Sequence, residues 1–247
     1  MGYASPGNAA REAHLVAQWT AHPERVTATV AAGTVPYRDY PGRTFSVQRW
    51  IALVLPGETA GFVLPGFAWF AVWTANVPPL PAAAVVVLFG AGEGTVLGYA
   101  QWRALRAWRP EFTANWVFAT SLSAMFAWAC GMAPSTASDV GAPDWLAMVL
   151  GFSLMPLLLF SMPFAQWRVL RAYVPRAWRW VPLSIAAWVL ALPPTFIGPM
   201  SIPDDSPAAI IAVTWLVSGL AMATILAFVT GLALRHLTRD VDEVTRR

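Results

Sequence analysis

The stretch 208–234, AAIIAVTWLVSGLAMATILAFVTGLAL, contains no charged residue. A helix of about 20 apolar residues crosses the hydrocarbon core of a bilayer, so this stretch predicts a transmembrane helix. Irregular backbone and open sheet edges cannot face lipid, so a chain of such stretches predicts an all-α, polytopic bundle. Five further apolar stretches give six predicted transmembrane helices in all, at residues 50–75, 82–105, 112–133, 145–170, 180–199 and 208–234.

The overall composition agrees with a membrane protein. Hydrophobic residues make up 57% of the chain, charged residues make up 12%, and the mean hydropathy is +0.53. These values exclude an ordinary soluble domain. A pI near 9.5 would suggest nucleic acid in a soluble protein. Here the basic residues lie beside the predicted spans, so we expect anionic lipid headgroups as the partner and no nucleic acid.

The charges are divided between the two ends of the predicted bundle. All sixteen basic residues are arginines, and they lie in the N-terminal arm, the loops 103–109 and 168–179, and the C-terminal tail. The alternate loops hold aspartates and no arginine, namely Asp139, Asp144, Asp204 and Asp205. Short loops rich in arginine stay in the cytoplasm, so the pattern predicts both termini inside, in a multi-pass protein of the inner (cytoplasmic) membrane.

Tryptophans at the edges of the spans suggest an aromatic belt at each interface. On the arginine side these are Trp50, Trp102, Trp108, Trp116, Trp167, Trp178 and Trp180, and on the other side Trp73, Trp128 and Trp145. The predicted organisation has a cytoplasmic arm at 1–47, a transmembrane domain at 48–236 and a cytoplasmic tail at 237–247. Within the arm, residues 9–21 predict either a loosely ordered segment or a helix lying on the bilayer.

One octapeptide occurs twice in the chain. The sequence AQWRALRA at 100–107 returns as AQWRVLRA at 165–172, and each copy is followed by a proline. Two spans separate the copies, so the repeated unit is a helical hairpin in the same orientation each time, a parallel internal repeat. A weaker third copy, GLALR at 231–235, ends the last span. It would make three hairpin units, with the last and first spans forming the third.

The polar residues of this motif have a mechanical interpretation and a functional one. Four arginines are expected to anchor the protein at lipid headgroups: Arg103, Arg106, Arg168 and Arg171. Gln101 and Gln166 either form hydrogen bonds with neighbouring helices or face each other at a cytoplasmic gate.

The run GTVLGYAQWRALR at 94–106 resembles the GxxxGxxQWxxLR signature of uncharacterised polytopic membrane proteins of bacteria, in which it is often duplicated. The first copy matches at Gly94, Gly98, Gln101, Trp102, Leu105 and Arg106. The second copy keeps Gln166, Trp167, Leu170 and Arg171, with Pro163 in place of the second glycine. The resemblance covers spans two to five and implies no activity.

Two acidic residues lie inside predicted spans, Glu58 in the first and Glu93 in the second. At about 1.5 Å per residue, both lie roughly 13–15 Å from the arginines that precede or follow them, near the middle of a core about 30 Å thick. Two carboxyl groups at one depth on consecutive helices can meet.

A carboxylate at this depth costs at least about 2.5–3.5 kcal/mol unless it faces the interior, accepts hydrogen bonds or takes up a proton. We therefore expect at least one of the two acids to be protonated at rest. Glycines that allow close packing flank both, at Gly57, Gly61, Gly90, Gly94 and Gly98. The cluster predicts a proton or cation site. The alternative is a protonated glutamate that donates a hydrogen bond between two packed helices.

Signatures of enzymes are missing from the predicted spans. The three histidines, His14, His22 and His236, lie outside them, and Cys130 has no histidine partner in the membrane. The chain has no Walker loop, no GxSxG motif and no lysine for a Schiff base. No catalytic residue, metal or cofactor is expected.

Three functions stay open from the sequence. The paired acids, the prolines and the repeat favour a channel- or transporter-like protein with an acidic site at the midplane. The small-residue stripes also suit a non-catalytic scaffold or accessory subunit, with another membrane protein or a second copy of this chain as its partner. The third is a lipid-modifying membrane enzyme that uses a glutamate as base, although midplane depth is wrong for headgroup chemistry.

Overall fold

The computed structural model describes residues 44–203 and 205–246, with the backbone alone at 240, 241 and 243–246. Most of the predicted N-terminal arm, including the segment 9–21, lies outside the described residues. Residues 44–203 and 205–246 form helices joined by turns and contain no strand, so the all-α prediction is confirmed.

Six helical segments in the described chain are long and apolar enough to cross a membrane, as predicted. The turn, α5 and α6 together form one of these six. The elements are α1 (Val47–Thr74), α2 (Pro79–Trp108), α3 (Asn115–Asp139), α4 (Asp144–Leu170), a 3-10 turn (Ala177–Arg179), α5 (Trp180–Ala191), α6 (Pro193–Met200) and α7 (Ala208–Arg246).

The helix ends follow from local residues. Ser46 caps α1 because its side chain accepts a hydrogen bond from the backbone N–H of Arg49 at 3.2 Å. Proline opens α2, where a missing N–H costs nothing. Asn76, with φ of 50°, and Gly141, with φ of 81°, take left-handed conformations in the turns after α1 and α3. Both residue types tolerate this region better than others do.

The helices pack in chain order, and the last one packs on the first. α1 contacts α2 and α7, α3 lies between α2 and α4, and α5 lies between α4 and α7. α6 packs mainly against α7. Because successive long helices alternate in direction, the arginine-bearing loops meet at one end of the bundle, here the arginine end. The loops 75–78 and 140–143, and the described residues 201–203 and 205–207, lie at the opposite, aspartate end.

Two helices depart from the predicted spans. The fifth span is interrupted at Leu192, because Pro193 and Pro194 have no N–H to continue the helical hydrogen bonds. The last helix continues past residue 234 to Arg246, so the C-terminal tail begins as a continuation of α7.

The predicted aromatic belt is wrong for several tryptophans of the arginine side. Trp73, Trp145 and Trp178 are exposed at the helix ends, as expected of interface anchors. The buried ones belong to the core of the bundle, and they are Trp50, Trp108, Trp116 and Trp180. The indole N–H of each of these four donates a hydrogen bond to a buried side-chain oxygen of the protein. At a lipid interface, water or headgroups would accept that bond.

Candidate functional site

Glu58 of α1 is the least expected buried side chain of the bundle. It is 0% exposed, and neither carboxyl oxygen has a hydrogen-bond partner in the part of the chain that the structure describes. Buried polar groups in proteins are almost always paired. An unpaired one at the middle of a transmembrane helix therefore calls for a chemical explanation.

α1 and α2 approach each other closely beside Glu58. A methyl group added at Gly57 would lie 2.5 Å from Ala100 Cβ, and one at Gly61 would lie 3.1 Å from the carbonyl oxygen of Glu93. Glycine at these two positions of α1 allows the close contact, which a methyl at Gly57 would disrupt most. The backbone of Glu93 thus lies level with Gly61, about one turn from Glu58 on the neighbouring helix.

The side chain of Glu93 is hydrogen-bonded to α3. Its carboxylate accepts a hydrogen bond from the indole Nε1 of Trp128 on α3. The indole lies directly against Gly90, where any side chain would displace it. Trp128 was predicted at the interface of the aspartate side, and that assignment is wrong.

The structure brings the two predicted acids together. Glu93 is 7% exposed, and a methyl added at Gly61 would lie 3.4 Å from its Cγ, so its side chain begins beside α1 about one turn from Glu58. Gly94 and Gly98 hold α2 against α3, since added methyl groups would lie 2.5 Å from Ala124 Cβ and 2.9 Å from Thr120 Cβ. Helix α2 is therefore packed tightly on both sides, with Glu93 between its two neighbours.

The helices that face Glu58 supply no cation to neutralise it. Between residues 50 and 74, α1 has no charged residue besides Glu58, and between residues 79 and 102, α2 has none besides Glu93. Between residues 208 and 234, α7 has none at all. A buried carboxylate needs either a proton or a matched positive charge. Here neither neighbouring helix provides the charge.

Gln101 and Gln166 meet inside the bundle. Gln166 Nε2 donates to Gln101 Oε1 at 3.0 Å and to Thr120 Oγ1 at 3.1 Å. The indoles of Trp116 and Trp180 donate to Gln101 Oε1 at 2.9 Å and Gln166 Oε1 at 3.1 Å. Both glutamines are buried. The two glutamines thus bond both to each other and to side chains of neighbouring helices, and the network links α2, α3, α4 and α5 at one level.

The indoles of this network were predicted as interface anchors and not as partners of the glutamines. Trp116 and Trp180 follow their glutamines by 15 and 14 residues, and this recurrence is the signal that could have revealed them. A related contact joins the last helix to the first, where Trp50 Nε1 donates to Thr230 Oγ1 at 3.1 Å. Thr230 directly precedes the weak third copy, GLALR. When this copy is aligned with the two octapeptides, Thr230 takes the position that Gln101 and Gln166 have in them.

Asp242 is a second residue that the sequence analysis missed, because it lies in the predicted tail. One carboxylate oxygen accepts from the backbone N–H of Phe45 at 3.1 Å, and the other accepts from Trp108 Nε1 at 2.9 Å. The side chain is buried. It thus ties the end of α7 to the start of α1 and the end of α2.

The four arginines predicted as headgroup anchors are exposed at the arginine end. The guanidinium of Arg106 lies 5.1 Å from the ring centre of Trp102, and that of Arg171 lies 5.6 Å from the ring centre of Trp167. These cation–π contacts join equivalent positions of the two octapeptides.

Comparison with models of known protein families, with curated proteins and with solved structures finds no match to this chain. The chemistry of the two glutamates and of the glutamine network is therefore the basis on which a function is assigned.

Proposed function

We propose that this chain is a proton-coupled transporter of the bacterial inner membrane, with Glu58 and Glu93 as its exchangeable acidic site. The observation that carries the proposal is the complete burial of Glu58 with both carboxyl oxygens unbonded. An intramembrane acid of this kind is stable when it holds a proton and reactive toward a cation when it loses the proton. Such a residue can alternate between two occupants, which is what coupled transport requires.

Glu93 completes the site as a fixed neighbour. The bond from Trp128 holds its carboxylate in place, while no described group holds that of Glu58. Two carboxyl groups that interact cannot both be charged in a poor dielectric without a cation between them. Binding of one cation, or of one proton, therefore lowers the electrostatic repulsion between the two acids.

The glutamine network suits a gate on the arginine side of the acids. Gln101 lies eight residues beyond Glu93 on α2, which is about 12 Å along the helix. The side chains of Trp116, Trp180 and Thr120 close the bundle around it. Opening would require these bonds to exchange for bonds to water or to a solute.

The same proposal includes the orientation of the bundle. The arginine end faces the cytoplasm, and its exposed arginines contact anionic headgroups. Three hairpin units, α7 with α1, α2 with α3, and α4 with α5, form a parallel repeat. In support, one Trp indole in each unit donates a hydrogen bond to the side chain at the glutamine position of the octapeptide alignment. The three acceptors are Thr230, Gln101 and Gln166.

The repeat is asymmetric at the acids. Glu58 lies eight residues after Trp50, and the equivalent positions after Trp116 and Trp180 are Ala124 and Trp188. Only the unit of α7 and α1 has an acid at this position, and the second acid, Glu93, belongs to the unit of α2 and α3, so one exchangeable site per chain is proposed.

The test is proton flux in liposomes loaded with a pH-sensitive dye, with a membrane potential imposed by potassium and valinomycin. The wild-type protein should carry protons across the membrane. Glu58→Gln and Glu93→Gln should reduce the flux to the rate of empty liposomes. Glu111→Gln is the matched control, because Glu111 is exposed in the loop after α2 and should leave the flux unchanged.

Each variant is first shown to be folded by its elution as a single species and by its melting temperature in detergent. Wild-type flux that survives Glu58→Gln would overturn the proposal. So would the absence of wild-type flux together with purification in fixed proportion to another membrane protein, which is the behaviour expected of an accessory subunit.

A further inference from the structure

An apolar groove runs between α1 and α7 in the half of the bundle nearer the aspartate end. Its volume is about 250 Å³. Its walls are almost entirely apolar, and they include five aromatic residues, Phe62, Phe67, Trp69, Phe70 and Trp215. Several of these rings are partly exposed, so the groove opens toward the lipid.

Three rings of the groove and Trp73 beyond it form a continuous stack, here called the aromatic ladder. Phe62 stacks on Trp215 at 5.3 Å between ring centres, Trp215 on Trp69 at 6.4 Å, and Trp69 on Trp73 at 5.9 Å. The interplanar angles are 25°, 24° and 4°. The ladder runs from Trp73 at the end of α1 inward to Phe62.

The inner end of the ladder lies one helical turn from Glu58. Phe62 is four residues after Glu58 on α1, so the two side chains share a helix face, and side chains lean toward the helix start. Gly219 makes room for the ladder, since a methyl there would lie 2.5 Å from Phe62 Cδ1. Phe62 thus lines the groove, and Glu58 lies one turn from it on α1, outside the lining.

We propose that the aromatic groove binds an aromatic organic cation, such as a substituted ammonium ion, and that Glu58 receives its charge in exchange for a proton. The inference rests on the proposed function of Glu58 as an exchangeable site. The faces of aromatic rings attract cations, most strongly for tryptophan and for quaternary ammonium groups. The carboxylate supplies the full negative charge that the ladder lacks.

Charge complementarity favours a cation over a lipid tail as the occupant. An acyl chain needs only apolar walls, and it would leave Glu58 without a partner. The groove is slightly smaller than typical small-molecule sites of about 300–1,000 Å³. It therefore accommodates one aromatic group of the ligand, with the charged end directed past Phe62.

The exchange step balances in charge and atoms. The protonated carboxyl of Glu58 loses its proton to water, and the cation pairs with the resulting carboxylate, so one proton leaves for each singly charged cation bound. From the helices packed on α1, the titratable group that faces this site is Glu93 of α2, and α7 contributes none between residues 208 and 234. Protons and the cation compete for Glu58, so binding should weaken as the pH falls.

Benzyltrimethylammonium is a suitable probe, and neopentylbenzene is its neutral counterpart of equal shape. In weakly buffered detergent solution with a pH dye, saturating benzyltrimethylammonium should release up to one proton per chain. Glu58→Gln should release none, and the control Glu111→Gln should behave as wild type. In liposomes that are acidic inside, the wild-type protein should accumulate the labelled cation.

Trp215→Leu tests the ladder separately from the acid. This substitution keeps apolar bulk and removes the indole face, and it should weaken cation binding by about tenfold. The proton flux of the proposed function should persist, because Glu58 and Glu93 are unchanged. Trp145→Leu, the same substitution at an exposed indole of α4 outside the groove, is the matched control.

The outcomes separate the two proposals. Equal binding of neopentylbenzene and of the cation, or a co-purified lipid that both displace equally, would show that the groove holds a lipid tail and would overturn the inference. Proton flux that depends on Glu58 without any cation binding would also overturn it, while leaving the proposed function intact. Absence of both activities would remove the two proposals together.

Discussion

At the scale of single residues, the two buried acids differ in their hydrogen bonding. Glu93 is held by the indole of Trp128, whereas Glu58 has no described donor. In low dielectric a hydrogen bond to a polar group is strong and an unpaired group is costly. Glu93 therefore contributes to stability through its partner, and Glu58 is retained at a cost to stability that a purely structural residue would not require.

Trp128→Phe should destabilise the protein by about 1–3 kcal/mol, because it leaves the buried carboxyl of Glu93 without its donor. The ring volume is largely kept, so loss of packing is a smaller part of the effect. Unfolding in mixed micelles with increasing denaturing detergent measures the change. The control is Trp145→Phe, since Trp145 is exposed at the start of α4 and should change stability little. Equal effects of the two substitutions would contradict the assignment.

Both acids could be located from the sequence, since charged residues are conspicuous inside apolar stretches. Their partners could not, because nothing in the local pattern distinguishes a tryptophan at the interface from one in the core. Trp116 and Trp178 are both near helix starts in the sequence, yet one is buried and the other exposed. The difference is set by the rotation of each helix about its axis, which packing decides.

At the scale of helices, glycine positions determine which surfaces touch. Gly57 and Gly61 of α1 face α2, Gly66 faces α7, and the stripe at Gly90, Gly94 and Gly98 faces α3. In a membrane, close backbone approach replaces the hydrophobic effect as a source of helix association. The predicted small-residue stripe was therefore a packing signal, and its direction became known only from the structure.

Gly57→Ala should destabilise the contact of α1 with α2 by about 1–3 kcal/mol, because the new methyl would lie 2.5 Å from Ala100 Cβ. Gly151→Ala is the control in α4, where the nearest atom would be Pro134 Cγ at 3.8 Å. That change should be neutral or stabilising by up to about 1 kcal/mol, since alanine favours helix over glycine. Both are measured by detergent-induced unfolding.

A second substitution identifies the cause. Adding Ala100→Gly to Gly57→Ala removes the opposing methyl and should recover part of the lost stability, apart from the helix propensity that glycine costs. If the double variant is no more stable than Gly57→Ala alone, the clash is not the source of the effect.

At the scale of the whole molecule, the number of spans was predictable. The packing of α7 on α1, which closes the helices into a ring, was not. Length and hydropathy locate each span almost independently of the others. Closure depends on contacts between Trp50 and Thr230, 180 positions apart, and between Phe45 and Asp242, 197 positions apart. The continuation of α7 past residue 234 is part of the same closure, because Asp242 lies on that extension.

Asp242→Asn should loosen the arginine end of the ring. The amide keeps one acceptor oxygen and loses the charge, so the N–H groups of Phe45 and Trp108 can no longer both be satisfied, at a cost of about 1–3 kcal/mol. Hydrogen exchange should become faster at the start of α1 and at the end of α7 while the centre of α3 stays protected. Asp205→Asn, at the exposed aspartate end, is the control. Unchanged exchange in Asp242→Asn would mean that packing of Trp50 and Leu234 closes the ring without this carboxylate.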